Sequence, residues 1–338
     1  MTRVGVYSYK LDKSLRTIPL QQYTGHKMYK IFLKLIPALI ALTISSANAQ
    51  TLPDVPEGAE ALSLDGRVLT MPDPTNEKVL ENLSYTRVRY MDYPMVTERV
   101  IWYGRRLGYA GDFREAIKIY SEGMYDSPNE PKLYRHRGHR YITIREFDRA
   151  VADLEKAASL IKGKQNSSEE DGAPNEFNTP VSTLHGNIYY HLGLAYYLKQ
   201  DWENAKRAYD LDHGVARNDD NRVSIAHWRY MIRRRMGESH EDAKHVLDEI
   251  NADMKILENH TYHKLDLFYK GEISEAEISE GIDMEDSADA ATAYGLANWY
   301  YYNGDEDKAK GMMEKMLNAR AWGSFGYIAA EADLDALK

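Results

Sequence analysis

The sequence predicts an all-α protein, a solenoid in which one pair of helices is repeated along the chain. The main observation is that residues 97–164 match themselves after a shift of 34 residues. The matched pairs are Gly104/Gly138, Leu107/Tyr141, Phe113/Phe147, Ala116/Ala150 and Gly123/Ala157. A fixed period of this length indicates one supersecondary unit, which must stack on a neighbour to bury its apolar face.

Each copy of the repeat has the pattern of two helices joined by a tight turn. In the first copy Tyr103 and Leu107 lie on one apolar stripe, Gly111-Asp112 forms the turn, and Phe113 begins a second stripe. The small residues at the Gly104 and Ala116 positions predict that the paired helices approach closely. Hydrophobic residues make up 43% of the 338-residue chain, which is enough to supply a core.

This order of small residue, aromatic residue and alanine, with Pro128 after the second helix, resembles the tetratricopeptide repeat. The resemblance implies a right-handed α-solenoid of about six TPR-like helix pairs with a capping C-terminal helix. It also implies that the first helix of each pair lines a concave groove that binds extended peptides or partner helices. Over nearly all of the mature part, the chain resembles exported bacterial tetratricopeptide proteins, on segments 133–141, 185–197 and 259–263.

Residues 1–49 predict a secretory signal peptide. A basic start after Met28 is followed by the apolar run Leu35–Ile44 and then by Ala47-Asn48-Ala49, so cleavage is expected after Ala49. The run is too short for a stable membrane span, which needs about 20 residues. A short amphipathic or anchoring helix is the alternative. Met28 is the expected start of translation, and the mature chain is expected in the periplasm or outside the cell.

Composition excludes several classes of function. The chain has no cysteine, which excludes disulfides, thiolate metal sites and a cysteine nucleophile. Removing residues 1–49 changes the net charge from −9 to −15, and such a charge disfavours nucleic-acid binding, which depends on Lys and Arg neutralising phosphates. The 26 tyrosines, against 6 phenylalanines, suit helix interfaces whose aromatic rims reach water or a ligand.

The mature chain is expected to begin with an N-terminal arm and a capping helix in residues 50–95. The apolar segment 62–69 is split by Asp65-Gly66, which indicates a small hairpin or an extended arm on the first repeat. Asp73-Pro74 offers an N-cap followed by proline, so a helix is predicted from Thr75 to about Tyr90.

The solenoid is expected to span residues 96–323. Alanines at spacings close to 34 residues mark the later repeats, and the six copies are predicted near 97–130, 131–163, 186–219, 224–257, 257–288 and 290–323. The polar insertion 164–183 is expected to be solvent-exposed, with a lid as the alternative, since long loops often carry function. The amphipathic run 324–338 is expected to close the array by shielding its last interface.

Helical geometry places an aromatic and basic strip on the groove side of the first helices. Its members are Trp102, Arg105, Tyr109, Arg135, His136, His139, Tyr190, His191, Tyr197, Trp228, Arg229 and Arg235. Arginine and aromatic residues dominate binding hot spots, so the strip predicts a site for an acidic peptide, a chain-terminal carboxylate or an anionic envelope component. The alternative is that these side chains are solvated or form internal ion pairs.

Two further hypotheses come from other classes of function. His136/His139 and His260/His263 have a spacing compatible with metal ligation, but neither pair has an adjacent glutamate and no third ligand is evident. The sequence also contains no nucleophile motif and no glycine-rich phosphate loop. We therefore expect no metal, no cofactor and no enzyme activity, with a metal-dependent hydrolase as the lesser alternative.

Self-association is the third hypothesis, with Tyr294, Trp299–Tyr302 and Trp322 as contacts of a homo-oligomer, unless these aromatic residues belong to the core. Taken together, the sequence predicts a non-catalytic protein–protein interaction scaffold of the cell envelope. Its expected partner is an acidic protein or peptide.

Overall fold

In the computed structural model, which describes residues 51–282 and 287–338, a two-stranded hairpin is followed by fourteen α-helices. The helices are α1 Glu77–Asp92, α2 Thr97–Tyr109, α3 Phe113–Asp126, α4 Pro131–Thr143, α5 Phe147–Ile161, α6 Leu184–Leu198, α7 Trp202–His213, α8 Asp219–Arg235, α9 His240–Ala243, α10 His260–Lys270, α11 Glu275–Ser279, α12 Ser287–Tyr302, α13 Glu306–Met316 and α14 Phe325–Ala336. The predicted signal peptide 1–49 lies outside the described residues. In the part that is described, no helix has the length and apolar character needed to cross a bilayer.

Six helix pairs form the array, which confirms the predicted all-α solenoid. The pairs are α2–α3, α4–α5, α6–α7, α8–α9, α10–α11 and α12–α13. In each pair one residue after the first helix has a left-handed backbone, with φ between 58° and 93°: Gly111, Arg145, Gln200, Gly237, Gly271 and Gly304. A left-handed residue at this position ends a helix, and its recurrence identifies the same turn in all six repeats.

Glycines let the two helices of a pair approach closely in the first three repeats. A Cβ atom built on Gly104 would lie 2.4 Å from the Tyr120 ring, and one on Gly193 would lie 2.6 Å from Tyr209. The equivalent Gly138 faces Leu154 at 2.8 Å. These contacts confirm the close approach that the small residues predict.

The N-terminal arm forms a hairpin, in which Ala61–Leu62 pairs with Val68–Leu69 in antiparallel register. The capping helix begins two residues later than expected, at Glu77. Its N-cap is Asn76, whose Oδ1 accepts hydrogen bonds from the backbone N–H groups of Lys78 and Val79 at 3.0 and 3.3 Å. The predicted Asp73-Pro74 cap is therefore wrong, because a competing side chain satisfies the first N–H groups.

The fourth and fifth repeats have shortened second helices. Helix α9 has four residues and continues into a 3-10 helix, Lys244–Leu247, and α11 has five residues. The segment that follows the 3-10 helix returns to the array through Asp220, whose carboxylate accepts hydrogen bonds from the backbone N–H groups of Leu257, Glu258 and Asn259. A side chain of α8 thus replaces part of the missing helix as the support of this segment.

The expectation of a solvent-exposed loop is correct for most of the insertion 164–183, including residues 176–180, and wrong for a short part that packs against the first helices. Glu169 and Gly172 are buried. Arg105 and Arg106 of α2 donate hydrogen bonds to the carbonyl oxygens of Glu170 and Gly172, at 2.8 and 2.5 Å. The physical reason is that the loop carbonyl groups need hydrogen-bond donors, and the arginines of α2 need acceptors.

Helix α14 packs against α12, α13 and α6. The prediction that it shields the last interface is therefore incomplete, because α6 belongs to the third repeat. Arg145, in the turn of the second repeat, donates to Glu331 Oε2 at 2.6 Å, and Arg235 of α8 forms an ion pair with Asp333. The helix is apolar on most sides, as expected for one surrounded by protein.

The aromatic residues proposed as oligomer contacts lie mostly inside the protein. Tyr294 and Trp322 are buried, and Trp299 and Tyr302 pack against the core of the fourth and fifth repeats. The alternative that these aromatic residues belong to the core is therefore correct for Tyr294 and Trp322, while Trp299–Tyr302 are half-buried. Exposed large apolar side chains occur instead on and just after α1, at Tyr85, Val88, Met91, Tyr93 and Met95.

The close approach of α6 and α7 gives a testable prediction. We expect Gly193→Ala to lower the free energy of unfolding by about 1–2 kcal/mol, because the added methyl group overlaps the buried Tyr209 ring. The matched control is Gly311→Ala in α13, where no described heavy atom lies within 4 Å of the new Cβ. That variant should gain about 0.5–1 kcal/mol from helix propensity alone. Urea denaturation measures both, and equal effects of the two substitutions would contradict the close contact.

Candidate functional site

A cavity of about 380 Å³ lies between the first helices of the repeats. Side chains from α2, α4, α6, α8 and α10 form its walls, and the insertion 164–183 and α14 complete them. This size is within the range of small-molecule and peptide-end sites. Five of the six first helices therefore contribute to one concavity on the groove side.

Seven of the twelve strip residues line this cavity: Arg105, Tyr109, Arg135, His136, His139, Tyr190 and His191. The other five do not. Trp102 stacks beneath Arg105 with 4.4 Å between guanidinium and ring, and Tyr197 and Trp228 are core residues. Arg229 pairs with Asp210 at 3.0 Å and Arg235 with Asp333, so the alternative of internal ion pairs is correct for these two.

Three arginines have no carboxylate partner within 4 Å among the described residues, and two of them, Arg105 and Arg140, line the cavity; the third is Arg106. Arg105 and Arg106 donate to loop carbonyl oxygens, and Arg140 donates to His139 Nε2 at 2.6 Å. Burial lowers the pKa of Arg140, which remains a cation because an arginine starts from 12.5. Glu170 and Asp171 of the loop also line the cavity, without an ion pair to these arginines within 4 Å.

The fourth arginine, Arg135, holds the loop in place. Its Nε lies 3.6 Å from Glu169 Oε2, which also accepts a hydrogen bond from Asn187 at 2.8 Å. Arg135 Nη1 donates to His136 Nδ1, so the proton of that ring is on Nε2, 3.1 Å from Glu169 Oε1. Burial would raise the pKa of Glu169, but Arg135, His136 and Asn187 together lower it. The carboxylate therefore stays charged inside the protein.

The histidines of the cavity are neutral. Burial and the nearby Arg135 lower the pKa of His136 and of His191 to about 3, and burial with Arg140 lowers that of His139 well below 6.5. His191 Nδ1 donates to the carbonyl oxygen of Asn187, which leaves Nε2 as an acceptor beside the cavity. The site thus combines cationic donors with uncharged imidazole groups.

Neither histidine pair has the arrangement of a metal site. Both His136 Nδ1 and His139 Nε2 accept hydrogen bonds from arginines, and His263 Nε2 bonds to the carbonyl oxygen of Asn251. Within residues 51–282 and 287–338, no three His, Asp or Glu side chains are grouped in a way that could hold a metal ion.

The opposite end of the cavity carries a different set of groups. Asp212 of α7 is 3% exposed, lines the cavity and makes no side-chain hydrogen bond to any described residue. Burial raises its pKa well above 3.8, and no arginine opposes this effect. Neutral polar groups of α8 and α10 line the same cavity, among them Asn221, Ser224 and Tyr262, and Glu258 lines it as well. The two ends of one cavity therefore differ in charge.

Phe325, the first residue of α14, closes the cavity from the groove side. Its ring lies 5.3 Å from that of His139 and 5.7 Å from that of His191. Because α14 occupies the inner face beyond this point, the cavity is a pocket rather than a section of a continuous groove.

Several site residues were missed by sequence reasoning. Arg140 has a signal in the sequence, since it stands 34 residues after Arg106 and therefore occupies the equivalent position of the next repeat. Asp212 has no such signal, because the sequence pattern of α7 does not distinguish it from a polar surface residue. Glu169 and Phe325 belong to segments outside the repeat, where the 34-residue period does not predict which residues face the cavity.

No protein-family model matches the chain, and no curated protein matches it. Similarity is found among solved structures. One is YrrB, described as a TPR protein with an unusual peptide-binding site, at 13% identity over 70% of this chain and 92% of that chain, with a TM-score of 0.40. Another is a set of TPR-like repeats of a putative kinesin light chain from Podosopora anserina, at 13% identity over 67% and 95%, with a TM-score of 0.40.

Both are tetratricopeptide proteins, the class that the repeat pattern of this sequence resembles. At this level of likeness the fold assignment depends on the helix pairs of the chain itself, and six recurring turns support it.

The buried histidines give a prediction about pH. Between 6.5 and about 3, an unfolded chain protonates His191 and the folded protein does not, so stability is lost as the pH falls through this range. We expect His191→Gln to reduce the slope of unfolding free energy against pH by about 1.4 kcal/mol per pH unit between pH 5.5 and 4. The control is His260→Gln, an exposed position. Urea denaturation at several pH values gives both slopes, and identical slopes for wild type and His191→Gln would contradict a neutral buried histidine.

Proposed function

We propose that the protein is an exported, non-catalytic interaction scaffold that binds a carboxylate group of a partner protein or peptide in the pocket. The observation that carries this proposal is that two arginines of the cavity wall have only uncharged hydrogen-bond acceptors. Arg105 donates to the carbonyl oxygen of Glu170 and Arg140 to His139, and among the described residues neither has a carboxylate within 4 Å. By contrast, Arg137, Arg145 and Arg233 of the array form ion pairs. A ligand carboxylate would supply the missing acceptor, and Arg–carboxylate hydrogen bonds are among the strongest in proteins.

The shape of the pocket defines which part of a partner it can take. Helix α14 lies along the inner face, and Phe325 closes the pocket beside His139 and His191. An extended peptide running along the whole groove would have to displace α14 and break two buried ion pairs. The end of a chain, or one acidic side chain, needs no such rearrangement. A terminal or side-chain carboxylate is therefore the favoured form of the acidic partner.

The neutral histidines support binding rather than acid–base chemistry. A catalytic base works best when its pKa lies near the working pH, and those of His136 and His191 are lowered to about 3. Their nitrogen atoms are available for hydrogen bonds or already used in them. We therefore assign these residues to shaping the pocket and orienting the arginines.

Binding through the pocket can be tested by affinity capture from a cell-envelope extract. We expect Arg140→Gln to lose a partner that the unaltered protein captures, with affinity lowered roughly 10- to 150-fold, since a charged hydrogen bond contributes about 1.5–3 kcal/mol. Arg207→Gln, at an exposed position of α7, is the matched control and should retain the partner. Mass spectrometry identifies the captured proteins, and thermal unfolding checks that both variants are folded. Recovery of the same partner by Arg140→Gln at equal yield would contradict the proposal.

Export is the part of the proposal that rests on residues 1–49. A basic start, an apolar run and Ala47-Asn48-Ala49 support a cleaved signal peptide. Amino-terminal sequencing of the protein isolated from its native source is expected to begin at Gln50. A native chain that begins at Met1 or Met28 would contradict cleavage and would require another location.

A further inference from the structure

Asp212 is a buried acid that the proposed carboxylate site does not use. Its side chain is 3% exposed and lines the same cavity as the arginines, yet no described residue donates a hydrogen bond to it. A buried polar group without a partner is costly, and native proteins rarely keep one without a reason. Asn221, Ser224 and Tyr262 line the same cavity and add hydrogen-bonding groups without charge.

The position of Asp212 separates it from the arginines along α6. Its Oδ1 lies 3.4 Å from the place where a Cβ of Gly186 would stand, at the first turn of that helix. His191, which contacts the ring of His139 at 4.4 Å, is five residues further along the same helix. At 1.5 Å per residue this is about 7.5 Å, and Arg140 Nη2 lies 2.6 Å from His139 Nε2. Asp212 and Arg140 therefore lie at different ends of the pocket along α6, and no arginine contributes to the raised pKa of Asp212.

We propose that the pocket binds a small ligand with a carboxylate at one end and an amine at the other, of the class of dipeptides and tripeptides with both termini free. The inference rests on the proposed function, because Arg105 and Arg140 take the ligand carboxylate. Asp212 takes the amine, which supplies the donors that this side chain lacks. An extended peptide advances by roughly 3.5 Å per residue, so two or three residues span the distance along α6.

The walls of the pocket favour a short ligand. The insertion is fixed on both sides of the cavity: Arg106 of α2 donates to the carbonyl oxygen of Gly172, and Asn221 of α8 donates to that of Val181. Phe325 closes the groove side. A long peptide would have to leave the pocket past one of these contacts, whereas a short peptide with charged ends would not.

The experiment uses three synthetic libraries of dipeptides and tripeptides: one with both termini free, one N-acetylated and one C-amidated. Each is equilibrated with the purified protein by dialysis, and retained peptides are identified by mass spectrometry. We expect retention from the free library, with the affinity of the retained peptides lowered at least tenfold by either modification. In Asp212→Asn only the free peptides should lose affinity, and they should then bind no better than their acetylated forms. In Arg140→Gln the protein should lose affinity for both the free and the acetylated peptides.

The outcomes separate this inference from the proposed function. If acetylated and free peptides bind equally and Asp212→Asn changes neither, the amine site is overturned while the carboxylate site stands. If amidated peptides bind as well as free ones and Arg140→Gln has no effect, the carboxylate site is overturned as well. Retention of no peptide by a folded protein overturns the short-peptide ligand, and the envelope capture then tests the carboxylate site alone. Arg207→Gln serves as the control for loss of a positive charge away from the pocket.

Discussion

The ion pairs between helix α14 and the inner face of the array are the interaction on which much of the architecture depends. Burying an arginine and a carboxylate costs several kcal/mol per ion, and the cost is recovered only when the remaining hydrogen-bonding capacity is used. Here it is used. Glu331 accepts from Arg145 and from the backbone N–H of Leu64 in the hairpin, and Asp333 accepts from Arg235 and from Tyr294 at 2.8 Å. One helix thereby joins the N-terminal arm to the second, fourth and sixth repeats.

Two segments outside the repeat convert an open helical face into a closed pocket. Stacked helix pairs by themselves provide a surface lined by first helices. The insertion adds Glu169 and a row of carbonyl oxygens on one side, and α14 adds Phe325 on the other. Both segments are held by arginines of the repeats, so the arginines have two roles. Arg135, Arg145 and Arg235, which pair with carboxylates, hold the walls, and Arg105 and Arg140, which have uncharged acceptors only, define the proposed ligand site.

Burial gives the pocket its electrostatic character. The chain carries a net charge of −9, yet Arg105 and Arg140 line the cavity with no carboxylate within 4 Å among the described residues. Burial, with Arg135 or Arg140 nearby, keeps the histidines neutral, and burial alone raises the pKa of Asp212. The result is a cavity with charged donors at one end and an uncompensated acid at the other, a combination that matches a ligand with two different ends.

The sequence by itself determined the repeat and therefore the fold. The 34-residue period, the glycines that meet Tyr120 and Tyr209, and the order of helices all follow from local patterns, because a helix face is set by spacing along the chain. It also placed seven residues on the cavity wall for the same reason. Only the tertiary structure decided where the non-repeating segments pack. Glu169, Phe325 and Asp212 reach the pocket through contacts between residues far apart in sequence, and no periodicity encodes such contacts.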